Sequence, residues 1–362
     1  MAKIRVLVVD DAAVFRRAVT DELIADPELE VVGTAANGRA ALVKLDRLRP
    51  DVVLLDIEMP EMDGLEALRE IRKRHPRLPV IMFSVLTERG AIATLEALSQ
   101  GASEYFAKPS TNSLEDSLRV VREELIPEIK NLCAARVREL APAPVRPAAP
   151  AGAVLPRPPL PSIPPARVDV IAVAASTGGP NALAEVLPAL PANLPVPVLV
   201  VQHMPPLFTR LLAERLSARC SLPVTEATHN EPLAPGRVWV APGDFHLAVE
   251  RGPAGGHLVL SKDAPEHSCR PAADVLFRSV ARAYGPHALA VVLTGMGQDG
   301  HRGCEAIRAA GGQVVVQDEE SSVVWGMPGF VARSGLADKV LPLALVAQDL
   351  ARRTRVGRAE AK

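Results

Sequence analysis

The chain has 362 residues, 48% of them hydrophobic and 23% charged, with 41 Lys+Arg against 42 Asp+Glu for a formal net charge of −1. That length predicts two domains, and the even charge balance argues against a bulk electrostatic nucleic-acid binder, whose footprint is a strongly basic domain. The four cysteines (Cys133, Cys220, Cys269, Cys304) lie far apart without a CxxC, which excludes a disulfide framework or zinc ribbon and fits a reducing compartment.

The first apolar run, Ile4 to Val9, contains Arg5 and stops at Asp10-Asp11, so it does not read as a secretory leader. No stretch approaches the roughly 18 consecutive apolar residues of a membrane span. The expectation is a cytoplasmic protein that neither inserts into membrane nor binds nucleic acid. The runs Val6–Val9, Leu29–Thr34, Val52–Leu55, Val80–Phe83 and Glu104–Ala107 read as strands, with helical patterns between them, which predicts a parallel sheet. An amphipathic stretch, Ser113 to Leu140, follows. Ten of the 34 prolines then fall in residues 141–167, beside seven Ala, three Arg and no acidic residue. Such a segment reads as a stiff, extended linker. Net charge is −4 before the linker, +3 within it and 0 after it. Beyond it, Val170–Ala174, Val196–Val201, Val238–Ala241, Ala288–Thr294 and Val314–Gln317 read as a second set of strands. The expected division is 1–124, 125–167 (helix and linker) and 168–355.

In the first domain Asp10 and Asp11 end the first strand, Asp56 ends the third, and Lys108-Pro109 follows the fifth. Strand C-termini of an open parallel sheet share one edge, where ligands bind. Three carboxylates brought together there repel unless a hard divalent cation sits among them, and Mg²⁺ suits oxygen ligands. Taken singly, each Asp also reads as a turn or cap residue. Together Asp10-Asp11, Asp56, Ser84, Tyr105 and Lys108-Pro109 resemble a response-regulator receiver domain of flavodoxin-like fold. The resemblance implies that Asp56 accepts phosphate from a histidine kinase. It implies Mg²⁺ on Asp10, Asp11, Asp56 and the Glu58 backbone carbonyl. It also implies a switch made of Ser84, Lys108 and Tyr105, the aromatic that reorients on activation.

The second domain opens with the strand Val170 to Ala174, running through Ala175 into Ser176-Thr177-Gly178-Gly179-Pro180 and a helical pattern from Asn181 to Leu190. Small residues allow a sharp turn that sets Ser176 at the sheet edge near a helix N-terminus, where backbone N–H groups meet a developing negative charge. A capping role for Ser176, or a phosphate cradle, fits the same residues. Of eight histidines, His203 follows the next strand and shares that edge; His229, His246, His257 and His287 read as solvated. Asp299, after Leu293-Thr-Gly-Met296-Gly-Gln, supplies the carboxylate that orients a histidine base. The run Gly295-Met-Gly-Gln-Asp-Gly300 also fits a dinucleotide fingerprint, with acidic residues about 20 positions on, but it opens a late βα turn rather than the first.

Ala-Ser176-Thr177-Gly-Gly, Val-Gln-His203-Met-Pro, Ala241-Pro-Gly243, Leu-Thr-Gly295-Met296-Gly-Gln-Asp299-Gly300 and Gly326-Met327-Pro328-Gly329 are similar to motifs of the CheB family of chemotaxis protein-glutamate methylesterase/glutamine deamidases. With the receiver in front, the resemblance spans nearly the whole chain. It implies a doubly wound α/β catalytic domain with a Ser176–His203–Asp299 triad, the Met296 backbone N–H serving the oxyanion and Thr177 supporting the site. It implies methylated chemoreceptors as substrate, a chemotaxis histidine kinase as phosphodonor, and no cofactor for the ester chemistry. Trp325 stands where Tyr is common, and Gln298 replaces a frequent Arg. The competing expectation is a response regulator whose second domain binds a partner without catalysis.

Overall fold

A computed structural model describes residues 3–85, 87–108, 118–134, 167–252 and 255–358. The Pro-rich linker up to Ala166 and Pro109 lie outside these residues. The receiver runs β1 (Ile4–Val9), α1 (Ala13–Ala25), β2 (Leu29–Ala35), α2 (Gly38–Leu48), β3 (Val52–Asp56), α3 (Gly64–Arg74), β4 (Val80–Ser84), α4 (Glu88–Ser99) and β5 (Glu104–Ala107). Its five strands pair in parallel in the order β2-β1-β3-β4-β5. β1, β3 and β4 are apolar on both sides because helices cover both faces of the sheet. Leu7, Val9, Val53 and Leu55 point to the α2 and α3 side, where Leu42, Leu45, Leu68 and Ile71 pack. Val6, Val8, Val52 and Leu54 point the other way, as the strand period of two requires.

Val121, Leu125, Ile126 and Ile129 also fill that second face. They belong to a π-helical turn (Val121–Leu125) that continues into α5 (Ile126–Leu132). The division expected at residue 124 therefore falls inside a helix whose apolar face is receiver core.

The second domain comprises β6 (Val170–Ala175), α6 (Gly179–Val186), β7 (Val198–Gln202), α7 (Pro206–Ser217), β8 (Val224–Glu226), β9 (Val238–Val240), β10 (His246–Gly252), β11 (Gly255–Ser261), α8 (Ala273–Tyr284), β12 (Ala288–Val292), α9 (His301–Ala309), β13 (Gln313–Gln317), α10 (Met327–Arg333), β14 (Lys339–Leu341) and α11 (Leu343–Arg355). Seven strands form one parallel sheet in the order β14-β13-β12-β6-β7-β9-β8, while β10 and β11 make a separate antiparallel pair. From β6 the chain winds outward through β7, then returns to place β12 on the opposite side of β6. That reversal is the crevice where open α/β sheets hold ligands. In the receiver the same reversal falls between β1 and β3. Among the described residues no helix is long and apolar enough to cross a membrane.

The two domains touch. Leu95 and Leu98 of α4 meet Leu212 and Leu216 of α7 around one small cavity. Arg210 pairs with Glu88 at 3.1 Å, and Arg215 donates to the Leu95 carbonyl. The Tyr105 ring stacks on Phe208, centroids 4.8 Å apart and planes within 10°.

Candidate active site

Ser176 leaves β6 at the sheet reversal, its N–H bonded to the Thr294 carbonyl at 3.0 Å. Gln202 Nε2 donates to the Ser176 carbonyl at 3.0 Å from the neighbouring strand. Two glycines make this turn possible. Gly178 has φ of +76°, and a Cβ on Gly179 would lie 1.9 Å from Gln202 Oε1. Across the crevice, a Cβ on Gly295 would lie 2.8 Å from Ser176 Cβ. The bare backbone of Gly295 thus lets the Met296 peptide approach the serine. The Met296 N–H has no acceptor among the described residues.

His203 follows β7, and its N–H bonds the Ala175 carbonyl at 3.2 Å, so it stands beside Ser176. Its Nε2 lies 2.8 Å from Asp299 Oδ2. Its Nδ1 faces Cys269 Sγ at 3.6 Å. Ser176 Oγ has no hydrogen bond among the described residues. Asp299 is nearly fully buried and accepts backbone N–H bonds from Ala273 (2.6 Å), Asp274 (2.9 Å) and Gly300 (2.8 Å). The first two belong to the α8 N-terminus, where a negative charge is favoured. Burial alone would raise the Asp299 pKa; the bond to His203 and these N–H donors outweigh it and hold the group below the usual carboxylate range. Burial likewise opposes a charge on His203, but the Asp299 carboxylate and the Cys269 sulfur raise its pKa above the ordinary 6.5. Imidazole and carboxylate are thus a preset dyad one residue across from a hydroxyl.

Thr177 ties the turn in place and meets the receiver. Its carbonyl accepts from Thr294 Oγ1 at 2.9 Å, and its hydroxyl donates to Glu128 Oε1 of α5 at 3.0 Å. Asn131, also on α5, donates toward Met296 Sδ. α5 therefore lies over both sides of the serine crevice. Glu104 of β5 approaches the same turn: burial and then Glu128 push its pKa well up, against the Tyr105 and Gly178 N–H groups and the Thr177 hydroxyl. Burial raises Glu128 to about 7, with Thr177 opposing and Glu124 adding to it.

In the receiver, carboxylate oxygens of Asp10, Asp11 and Asp56 lie within 4.8 Å of one another. This all-oxygen donor set fits a hard divalent cation such as Mg²⁺. Lys108 Nζ sits 2.8 Å from both Asp10 and Asp56. Burial raises Asp56 to about 6, with Lys108 opposing and Asp10 adding to it. The Glu58 side chain turns outward toward Arg89 at 3.8 Å, and its carbonyl accepts no bond among the described residues. Asp63 caps α3, and a Cβ on Gly64 would lie 2.1 Å from the Asp56 carbonyl, so the Asp-Gly pair shapes the loop below Asp56. Ser84 Oγ faces away toward the Gly90 carbonyl at 3.2 Å and accepts from Thr94 at 2.6 Å. Tyr105 is committed to Phe208.

The sequence reading passed over Gln202, Thr294, Cys269, Glu104 and Glu128. Gln202 and Thr294 sit in the quoted motifs, adjoining residues with more obvious chemistry. His246 is a correction: it is 1% exposed and bonded to the Ala272 N–H and Ala264 carbonyl, not solvated.

Residues 171–350 match the CheB methylesterase family and residues 6–119 the response regulator receiver domain family. A protein-glutamate methylesterase/protein-glutamine glutaminase of Nocardioides sp. is 54% identical over 98% of this chain and 96% of its own length. The protein of that name from Trichodesmium erythraeum is 47% identical over 98% and 99%. The crystal structure of the Thermotoga maritima CheB methylesterase catalytic domain matches with a TM-score of 0.51 and 41% identity, covering 52% of this chain and 99% of that one. The expected receiver and methylesterase folds both stand, and the chain belongs to the CheB family of protein-glutamate methylesterase/protein-glutamine glutaminases with an N-terminal receiver.

Proposed function

We propose that Ser176 attacks the side-chain carbonyl of a methylated glutamate in a chemoreceptor helix, and that the receiver controls access to it. His203 takes the serine proton on Nδ1, the nitrogen not held by Asp299, and returns it to the departing methanol. Asp299 fixes the tautomer and stabilises the imidazolium. The Met296 N–H donates to the oxyanion, and Thr177 holds the turn. Water then resolves the acyl-enzyme and leaves a free carboxylate. Glutamine follows the same course with ammonia leaving. This chemistry needs no cofactor. The observation that carries the reading is the His203–Asp299 dyad at 2.8 Å beside a serine turn on the neighbouring strand.

For the receiver, we propose that a chemotaxis histidine kinase phosphorylates Asp56, with Asp10, Asp11, Asp56 and the Glu58 carbonyl holding Mg²⁺. The cation would offset phosphoryl charge among the carboxylates. Lys108 pairs with the phosphoryl group, Ser84 turns from Gly90 toward it, and Tyr105 moves inward into the space Ser84 leaves. Tyr105 then gives up its stack on Phe208, which loosens α5 from the Ser176 crevice. The site of action is the cytoplasm. Receptor demethylation by wild type, Ser176→Ala and Asp56→Ala tests the whole reading. Methanol release should vanish in the first variant and stay at the unphosphorylated rate in the second. Wild-type turnover in Ser176→Ala excludes the mechanism.

A further inference from the structure

The sulfur of Cys269 lies 3.6 Å from His203 Nδ1, while Nε2 is committed to Asp299 at 2.8 Å. A soft nucleophile, a base and the carboxylate that orients the base therefore stand in sequence, the geometry by which a weak nucleophile is activated. The triad chemistry assigns Cys269 no part. We propose that Cys269 is a modification site: His203 Nδ1 takes the thiol proton as the sulfur attacks a peroxide or a soft carbon electrophile, and the adduct disables the esterase.

With hydrogen peroxide an S–O bond forms as the O–O bond breaks. The sulfur is oxidised by two electrons and the peroxide reduced, and the thiol proton passes through His203 to the departing hydroxide. The products are a sulfenic acid and water. With a maleimide the sulfur adds to the double bond and the proton ends on the adjacent carbon. Either adduct fills the space at Nδ1 and denies that nitrogen to Ser176.

The other thiols are poorly placed to compete. Cys133 is 3% exposed and Cys304 is fully buried, and burial pushes the Cys304 thiol well up. Cys220 is half-buried, and burial pushes its thiol up to about 11. Cys269 is half-buried with the receiver docked, so its modification does not require the domains to part.

The inference rests on the hydrolase reading for its activity readout alone; labelling is read independently. The full unphosphorylated chain is treated with up to one equivalent of N-ethylmaleimide, and separately with hydrogen peroxide plus a sulfenic-acid trap. Adducts are mapped by peptide mass spectrometry beside residual receptor demethylation. The first equivalent should fall on Cys269, with activity falling in proportion. Cys269→Ala should keep its own starting rate through the same treatment. His203→Ala, and His203→Asn as a second removal of the imidazole, should label at Cys269 on the order of 10²-fold more slowly, the low end of general-base assistance. The proposal is overturned if the first equivalent lands on Cys220, if the folded His203 variants label as fast as wild type, or if fully modified Cys269 leaves turnover intact.

Discussion

Ser176→Ala and His203→Ala should each lower methanol release on the order of 10⁶-fold, because triad members act as a unit, with Asp299→Asn less damaging at about 10⁴-fold. The pH profile of the isolated catalytic domain carries a second test. As the proposed base, His203 acts only when neutral, and its pKa is raised above 6.5 by Asp299 and Cys269. Activity should therefore climb with pH through a midpoint above 6.5, and Asp299→Asn should move that midpoint down. Gly295→Ala should also cripple the enzyme, since the new Cβ would lie 3.0 Å from Ser176 N; Met296→Leu should be tolerated, while Met296→Pro removes a donor worth about 10²–10³ in rate. That these residues would meet could be read from the chain, because each follows a strand of a parallel sheet, and strand ends converge on one edge. Cys269 could not. It sits on an irregular loop whose path to His203 no periodicity encodes.

At the scale of elements, α5 and β5 bring two carboxylates, Glu128 and Glu104, onto Thr177 beside Ser176. They are stabilised there as neutral groups, so the docked arrangement holds protons that the open one releases. Above the ordinary 4.5 the open form gains, and the gain continues until the docked Glu128 itself ionises at about 7. The basal rate of the full chain, divided by that of the catalytic domain, should therefore rise with pH across this window. Glu104→Gln with Glu128→Gln should flatten the ratio. The amphipathic pattern of α5 was visible in the sequence, but not the surface its polar side covers. Strands β8 and β14, three residues each, and the β10–β11 pair also escaped notice. The first two are too short to show a period, and the Gly252-Pro253-Ala254-Gly255-Gly256 turn signal of the hairpin was passed over.

The whole molecule holds two sites, one in each domain, joined through one interface. The Asp10–Asp56–Lys108 cluster and the His203–Asp299 dyad are each assembled while α5 covers the crevice. On the proposed reading, phosphorylation shifts a docking equilibrium, and only by its differential effect on the docked and open forms. On that reading Tyr105 is the link, since the residue expected to reorient is the one stacked on Phe208. Tyr105→Ala should raise the unphosphorylated rate and shrink the response to a phosphodonor. The most direct test of a covering receiver is receptor demethylation by three samples. These are a fragment starting at Arg167, the full chain, and the full chain with a small phosphodonor and Mg²⁺. The fragment should outpace the unphosphorylated full chain on the order of tenfold, within the usual range of such couplings, and the phosphorylated chain should approach it. A fragment no faster than the unphosphorylated chain would contradict the account.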